Sequence, residues 1–314
     1  MKKTLCILIL LGMCLSFSAC AAEPELPQEG KPVIVTTLFP AYDFARQIAG
    51  ERATVILLVP PGAEAHSFEP TAKDMIRIQE STLFFCNGGE SEAWVEELLE
   101  DQQIETLRML DCVDALEEET KEGMQEIFEE EEDEDEEGPE YDEHVWTSPL
   151  NAEKICVALC DRLCELDPEG ADYYRANLQR YCAELEKLDA AFRETVEQGQ
   201  RRTVVFADRF PVRYFVEEYG LDYFAAFPGC ADDTEPSART VAFLIDKVRE
   251  EQIPVVFTIE FSNEKMADVI CEDTGCGKLR FHSCHNVSAE DLENGVTYLE
   301  LMWQNVDALK EALG

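Results

Sequence analysis

The sequence predicts an α/β protein of two lobes, each a mainly parallel sheet flanked by helices, joined by a long rigid helix. Three observations predict this class. With 314 residues, 46% of them hydrophobic, the chain is long enough for two domains of about 150 residues each. Short apolar runs alternate with amphipathic segments in both halves of the chain. Between the halves lies a long stretch with helical spacing and neither Pro nor Gly.

The start of the chain has the features of an exported lipoprotein. Two lysines precede an apolar run too short to span a bilayer, and small residues then precede Cys20, which is typical of a signal peptide. The triplet SAC that ends at Cys20 resembles a bacterial lipobox, in which the cysteine is lipidated. Residues 1–20 are therefore interpreted as the signal and the Pro-rich residues 21–32 as a tether; cleavage near Ala22 is the alternative. We expect the protein in the cell envelope, anchored at the outer face of the cytoplasmic membrane.

Each lobe is predicted to contain parallel strands covered on both faces. Short runs rich in β-branched and aromatic residues, separated by helical segments, are typical of such strands. In the first lobe, residues 33–170, these runs are 33–38, 54–59 and 83–87. In the second lobe, residues 200–314, they are 203–207, 222–227, 255–259 and 279–282.

Residues 171–199 are predicted to form the linking helix. Asp167 and Pro168 precede it as a start signal and Gly199 ends it, while apolar residues recur along one face at helical spacing. A helix of this length is a rod of roughly 40 Å. Because a rod is stiffer than a loop, the lobes should move little relative to each other.

The charge of the chain restricts its partners. Its 26 basic and 67 acidic residues give a formal charge of -41, which argues against nucleic acid or an anionic membrane surface as an electrostatic partner and favours cations. Residues 117–143 carry 17 acidic residues against one lysine, so we expect a disordered insertion in the first lobe. Its role is open between keeping the protein soluble and attracting cations.

The spacing of the cysteines favours packing in the core over metal binding. Cys156, Cys160 and Cys164 recur at i, i+4 and i+8, so they line one helix face as small core residues. Cys271 and Cys276 are close enough along the chain to bridge a turn, but the sequence defines no connectivity.

Only four histidines occur in the chain, and all lie at predicted strand ends or in loops. His66 follows the run 54–59, His144 follows the acidic segment, and His282 and His285 close the last run. Ligands of open α/β sheets bind at the carboxyl ends of strands, and two histidines come from each lobe. Zinc favours imidazole nitrogen and carboxylate oxygen. No HExxH, GxSxG or P-loop motif is present, so the common hydrolase and nucleotide signatures are absent.

At these residues the chain resembles the zinc/manganese family of metal-specific solute-binding lipoproteins of ABC importers, over nearly all of its mature length. The segment "PPGAEAHSFEPTAKD" is similar to the first ligand motif of that family and "YDEHVWTSPLNA" to the second. The segment "RYFVEEYGLDYFAAF" is similar to the one that follows the third ligand, and "FHSCHNVS" lies where the fourth is found. The resemblance implies His66 and His144 as ligands and a metal held between two α/β lobes.

The third ligand position departs from the family pattern. Members commonly place a His or a Glu six residues before the Phe that aligns with Phe215, and here that residue is Arg209, which has no lone pair to offer. Asp208 is the neighbouring substitute, and Glu260 is the competing carboxylate.

The fourth ligand position, where many members have Asp, offers two histidines. His282 is favoured because it ends the predicted strand, and His285 is then a supporting or surface residue.

The predicted function is capture of a divalent metal ion and its delivery to an ABC permease, by a protein that is monomeric and not an enzyme. Three imidazoles favour Zn²⁺, with Mn²⁺ as the alternative cargo. Because imidazoles must be neutral to bind, affinity should fall at acidic pH. A surface zinc-dependent hydrolase is the competing hypothesis; it would need Glu69 or Glu260 as a general base.

Overall fold

The computed structural model describes residues 30–100, 103–125, 140–229 and 236–314. The predicted signal, the lipidation candidate Cys20, most of the tether and the middle of the acidic segment lie outside these ranges. Within them, no helix is both long and apolar enough to cross a membrane.

The first lobe is built on a four-stranded sheet in which all neighbouring strands are parallel. Its strands, in the spatial order β2-β1-β3-β4, are β1 (Val33–Thr36), β2 (Thr54–Leu57), β3 (Leu83–Cys86) and β4 (Thr106–Arg108). The helices between them are α1 (Phe39–Ala49), α2 (Ala72–Gln79) and α3 (Trp94–Glu100). The edge strand β4 was not predicted, because it is only three residues long and half-buried throughout, so it shows no apolar run.

The second lobe repeats this arrangement in the order β6-β5-β7-β8. Its strands are β5 (Thr203–Phe210), β6 (Asp222–Pro228), β7 (Val255–Thr258) and β8 (Gly277–Arg280). Its helices are α6 (Arg213–Tyr219), α7 (Ala238–Glu250), α8 (Lys265–Thr274), α9 (Ala289–Glu293) and α10 (Tyr298–Leu313). Both sheets are therefore parallel and flanked by helices, which confirms the predicted fold class. Strand β8 ends two residues earlier than predicted, and this displaces His282 from the strand end.

Helix α4 (Pro149–Leu166) precedes the link between the lobes, and helix α5 (Ala171–Gln198) forms it. In α5, Asn177 donates from Nδ2 to the carbonyl of Ile48 at 2.9 Å in the first lobe. Further along the same helix, the Phe192 ring lies 4.8 Å from that of Phe215 in the second lobe. One continuous helix thus packs against both lobes.

The C-terminal helix α10 adds a second connection. The backbone N–H of Tyr298 donates to Asp43 at 3.0 Å, and its hydroxyl donates to the carbonyl of Trp146 at 2.8 Å. The Tyr298 ring also lies 5.0 Å from that of Phe44. The linking helix α5 and the last helix of the second lobe, α10, therefore both contact the first lobe.

The three cysteines of α4 lie on one face, as predicted. Cys156 and Cys160 are fully buried, and Cys164 packs against the same core. Burial raises the pKa of the Cys156 thiol well above its ordinary value, which disfavours the thiolate that a metal would need. These residues fill the core.

The expectation of a disordered acidic segment is wrong at its two ends. Residues 117–125 and 140–143 have defined contacts, beginning with an isolated antiparallel bridge between them. Met124 is buried, and the single lysine, Lys121, pairs with Asp222 of β6 at 3.0 Å. Met124 and Lys121 anchor the acidic segment to the second lobe. The acidic composition of the segment gave no sign of these two contacts.

Candidate metal centre

Three loops bring three histidines together between the lobes. One ring nitrogen each of His66, His144 and His285 can be chosen so that all three lie within 4.8 Å of one another. The ring centroids are 5.4 Å apart for His66 and His144, 4.7 Å for His66 and His285, and 5.3 Å for His144 and His285. Zinc binds nitrogen at about 2.1 Å, so the ligand atoms of a tetrahedral site lie about 3.4 Å apart and the three rings would have to move closer together around an ion.

His144 is oriented by a carboxylate in its own loop. It is fully buried, its Nδ1 lies 3.2 Å from Oδ1 of Asp142, and the same oxygen accepts the backbone N–H of His144 at 2.9 Å. When Nδ1 donates its proton to Asp142, Nε2 keeps its lone pair. That Nε2 is buried and has no hydrogen-bond partner among the described residues. A buried polar atom of this kind is typical of a ligand position.

The segment after His144 explains how the loop is held. Thr147 donates from its hydroxyl to the carbonyl of His144 at 2.8 Å, and Ser148 caps the start of α4 by accepting the N–H of Asn151. Trp146 reaches across to the second lobe, where Nε1 donates to the carbonyl of Ser283 at 2.8 Å. The "HVWTSP" motif thus contains the candidate ligand His144, the residue that caps α4, and a tryptophan that contacts the other lobe.

Electrostatics keep two of the three imidazoles neutral. Burial, together with the neighbouring His144, lowers the pKa of His66 to about 3. Burial also lowers the pKa of His285 well below its ordinary value. Burial disfavours the charged form of His144 as well, but the carboxylates of Asp142, Glu143 and Glu118 together outweigh it and raise the pKa of His144. His66 and His285 are therefore ready to bind a cation at neutral pH.

His282, preferred from the sequence, does not join this group. Its Nδ1 accepts the backbone N–H of Cys284 at 2.9 Å, and its backbone exchanges two hydrogen bonds with Asn305, at 2.7 and 2.8 Å. The chain turns at Cys284, which has φ 63°, and the next residue, His285, enters the cluster. Because β8 ends at Arg280, the strand end used to choose between the histidines lay in the wrong place.

The two predicted carboxylates also lie outside the group of converging ligand atoms. Glu260 lines the same pocket, but its oxygens accept the backbone N–H and the hydroxyl of Ser283 at 2.8 and 2.5 Å and the N–H of His285 at 3.1 Å. It holds the loop that carries His285. Asp208 accepts the N–H groups of Arg209 and Ile259 at 2.9 and 3.4 Å and lines a neighbouring cavity of about 500 Å³.

Arg209 forms an ion pair across the mouth of the site. Its guanidinium lies 3.1 Å from Oε2 of Glu64, in the loop after β2, and both residues line the pocket of the three histidines. The other oxygen of Glu64 accepts the N–H groups of Ala65 and His66 at 3.1 and 3.4 Å. A cation therefore stands where the family pattern led us to expect a ligand.

Asp142 and Glu64 were missed from the sequence. Each lies two residues before a histidine of the cluster, a spacing at which a carboxylate can accept the N–H of that histidine. This spacing was the available signal.

The fold and the site together define a class: a two-lobed α/β binding protein in which three imidazoles converge between the lobes, an arrangement that could hold a divalent metal ion. The comparisons with known proteins agree. Residues 34–312 match the ZnuA family, described as "Zinc-uptake complex component A periplasmic", and the chain belongs to this family. It is accordingly an extracytoplasmic, metal-binding component of a metal-uptake system.

The relatives of this chain are named for different metals. The chain is 30% identical over 286 residues to the high-affinity zinc uptake system protein ZnuA of Bacillus subtilis (strain 168), covering 89% of this chain and 87% of that protein. It is 27% identical over 319 residues to the manganese-binding lipoprotein MntA of Halalkalibacterium halodurans, covering 100% and 99%. Among solved structures, it is similar to the Zn(II)-bound ZnuA-like domain of Streptococcus pneumoniae AdcA, with 28% identity, a TM-score of 0.74, and coverage of 90% of this chain and 99% of that one.

Proposed function

We propose that this protein captures zinc with His66, His144 and His285 and delivers it to an ABC permease, while lipidation at Cys20 anchors it to the membrane. The observation that carries the proposal is the buried Nε2 of His144, which no other described residue contacts by a hydrogen bond and which lies in a group of three converging imidazoles. A metal ion would satisfy all three ring nitrogens at once.

Zinc is proposed over manganese because the converging atoms are all nitrogen. Manganese prefers oxygen ligands, whereas zinc accepts imidazole readily and needs only four ligands. Among the described residues, the converging group contains no carboxylate. A zinc-bound domain among the similar structures supports this preference, and the manganese-binding relative is the reason to test it.

The fourth coordination position is proposed to be filled by water or by Glu64. The oxygens of Glu260 and Asp208 are already committed to backbone N–H groups. Glu64 has one oxygen on Arg209 and one on the loop of His66, so it could reach a metal only by leaving the ion pair. Arg209 would then compete with the metal for this carboxylate.

Metal competition on the purified apo protein tests the cargo. At equal free concentrations of Zn²⁺ and Mn²⁺, we expect zinc to occupy the site, as measured by metal analysis after rapid desalting. Manganese displacing zinc would contradict the proposal. Delivery is tested by ⁶⁵Zn uptake in cells that depend on this protein, which should fall to background with His144→Gln and stay normal with His282→Gln.

A further inference from the structure

Two cysteines of the second lobe have their sulfur atoms in contact. Cys271 lies in the last turns of α8 and Cys276 directly before β8, and their Sγ atoms are 3.3 Å apart. Gly275, with φ 80°, ends the helix, and its N–H donates to the carbonyl of Cys271 at 2.9 Å. The N–H of Cys276 donates to the hydroxyl of Thr274 at 3.3 Å. The turn is therefore already folded in the geometry that faces the two thiols towards each other.

A metal site does not account for this pair. No histidine or carboxylate joins the two sulfur atoms in a metal-binding group within the described ranges, where the three-histidine cluster alone meets that description. Both residues are only half-buried, which leaves them open to a redox partner.

We propose that Cys271 and Cys276 form a disulfide once the protein is outside the cytoplasm. Family membership places the chain in an extracytoplasmic compartment, where disulfides persist. The oxidant is an external disulfide, either glutathione disulfide or that of a dithiol oxidoreductase. One protein thiolate attacks it to form a mixed disulfide and release one thiol, and the second protein thiolate then displaces the other. The protein dithiol is oxidised by two electrons, and the external disulfide is reduced to two thiols.

The bond would fix one wall of the cleft. It joins the end of α8 to the start of β8, and α8 carries Lys265, Met266 and Val269, which line the cavity beside the three histidines. A disulfide that closes a short loop restricts the unfolded chain and stabilises the folded one modestly. It would therefore hold α8 against the sheet without altering the metal ligands.

Peptide mapping tests the proposal directly, because trypsin releases both cysteines in one peptide. Cleavage after Lys265 and Lys278 gives peptide 266–278, which contains no other cysteine. The full chain is equilibrated with excess glutathione disulfide, unfolded in iodoacetamide without reductant, and digested. We expect this peptide without alkylation and lighter by two hydrogen atoms, and doubly alkylated only when reductant is added first. Double alkylation without reductant, or a glutathione adduct on either cysteine, would overturn the proposal.

The same digest contains its own control. Peptide 155–162 carries Cys156 and Cys160, neighbours on one turn of α4 that are buried in the core. We expect both to be alkylated after unfolding without reductant.

A double variant, Cys271→Ser with Cys276→Ser, separates the disulfide from general instability. The melting temperature of the wild-type chain should fall by a few degrees when reductant is added, whereas that of the double variant should not respond. An equal response of both proteins would contradict the disulfide.

Discussion

Within the described part of the chain, Nε2 of His144 has no hydrogen-bond partner, although the opposite ring nitrogen and the backbone are both held by Asp142. Such an arrangement fixes the ring and selects the tautomer that leaves Nε2 free for a metal. The resemblance to the family pointed to His144 but not to its carboxylate, because the family motif concerned the ligand and not its support.

We predict that Asp142→Asn weakens zinc binding by roughly 10-fold to 100-fold. The amide can present its NH₂ group to Nδ1 and so shift the proton to Nε2, where the metal would bind. Isothermal titration of the apo variant with zinc measures the effect. Asp208→Asn is the matched control, since Asp208 was proposed as a ligand from the sequence but contacts two backbone N–H groups; it should bind zinc like the wild type. A loss with Asp208→Asn and none with Asp142→Asn would reverse these assignments.

Arg209 stands at the position where the resemblance to the family led us to expect the third ligand. Its positive charge lies at the mouth of a site that must accept a cation, and it engages the nearby carboxylate of Glu64. Like charges at close range oppose binding.

We expect Arg209→His to bind zinc roughly 10-fold or more tighter than the wild type, because it removes a charge worth on the order of 1 kcal/mol or more and supplies another imidazole. A competition titration against a chelator of known affinity measures the change. Arg249→Gln on α7, which loses a guanidinium paired with Asp273 of α8, controls for the change in net charge. Unchanged or weaker binding by Arg209→His would show that Arg209 does not restrain the metal.

At the scale of elements, the loops after β2 and β8 carry His66 and His285, whereas His144 lies in the loop before α4. Most strands were predictable from their apolar runs, and helix α5 from its spacing and end signals. The sequence-based predictions failed for one short strand and for one strand end. Strand β4 was missed because it lacks an apolar run, and the end of β8, which was used to choose between His282 and His285, was placed too late in the chain. The anchors of the acidic segment were hidden because single residues, Met124 and Lys121, form them.

The short helical turn after β3 contains a buried acid with a stability effect that depends on pH. Glu92 accepts the N–H groups of Asn87 and Gly88 at 2.9 and 2.7 Å, and burial raises its pKa to about 7 from 4.5. Because the folded-state pKa is raised, the protonated form is favoured by folding. Its contribution to stability is complete below pH 4.5 and is lost as the pH rises through 7.

We therefore predict that Glu92→Gln flattens the decline in the free energy of unfolding between about pH 4.5 and 7. The removed difference is at most about 3 kcal/mol, from about 1.4 kcal/mol per pKa unit. Urea unfolding across this range measures it. Glu97→Gln, at an exposed position of α3, should keep the slope of the wild type. A variant at position 92 with an unaltered slope would show that another group is responsible.

At the scale of the whole molecule, two helices hold the lobes together. Helix α5 packs against both lobes. Helix α10 contacts the first lobe through Tyr298, and Trp146 of the first lobe donates a hydrogen bond to the second lobe. The linking helix was predictable from its spacing and end signals, but these further contacts were not, because they join residues far apart in the chain. Metal capture should thus proceed without a large movement of the lobes.

We expect the radius of gyration, measured by small-angle X-ray scattering, to be the same within error for the apo and zinc-bound protein. Hinge closure around a ligand would instead make the zinc-bound form measurably more compact. Such compaction would contradict the rigid link.

The central claim is that His66, His144 and His285, and not His282, hold the metal. Zinc titration of the apo wild type and of the four single His→Gln variants tests it most directly, with circular dichroism as a check that each variant is folded. The account predicts one zinc per chain, an affinity loss on the order of 100-fold or more for the three cluster variants, and near wild-type binding for His282→Gln. Wild-type affinity in His285→Gln together with a loss in His282→Gln would contradict it.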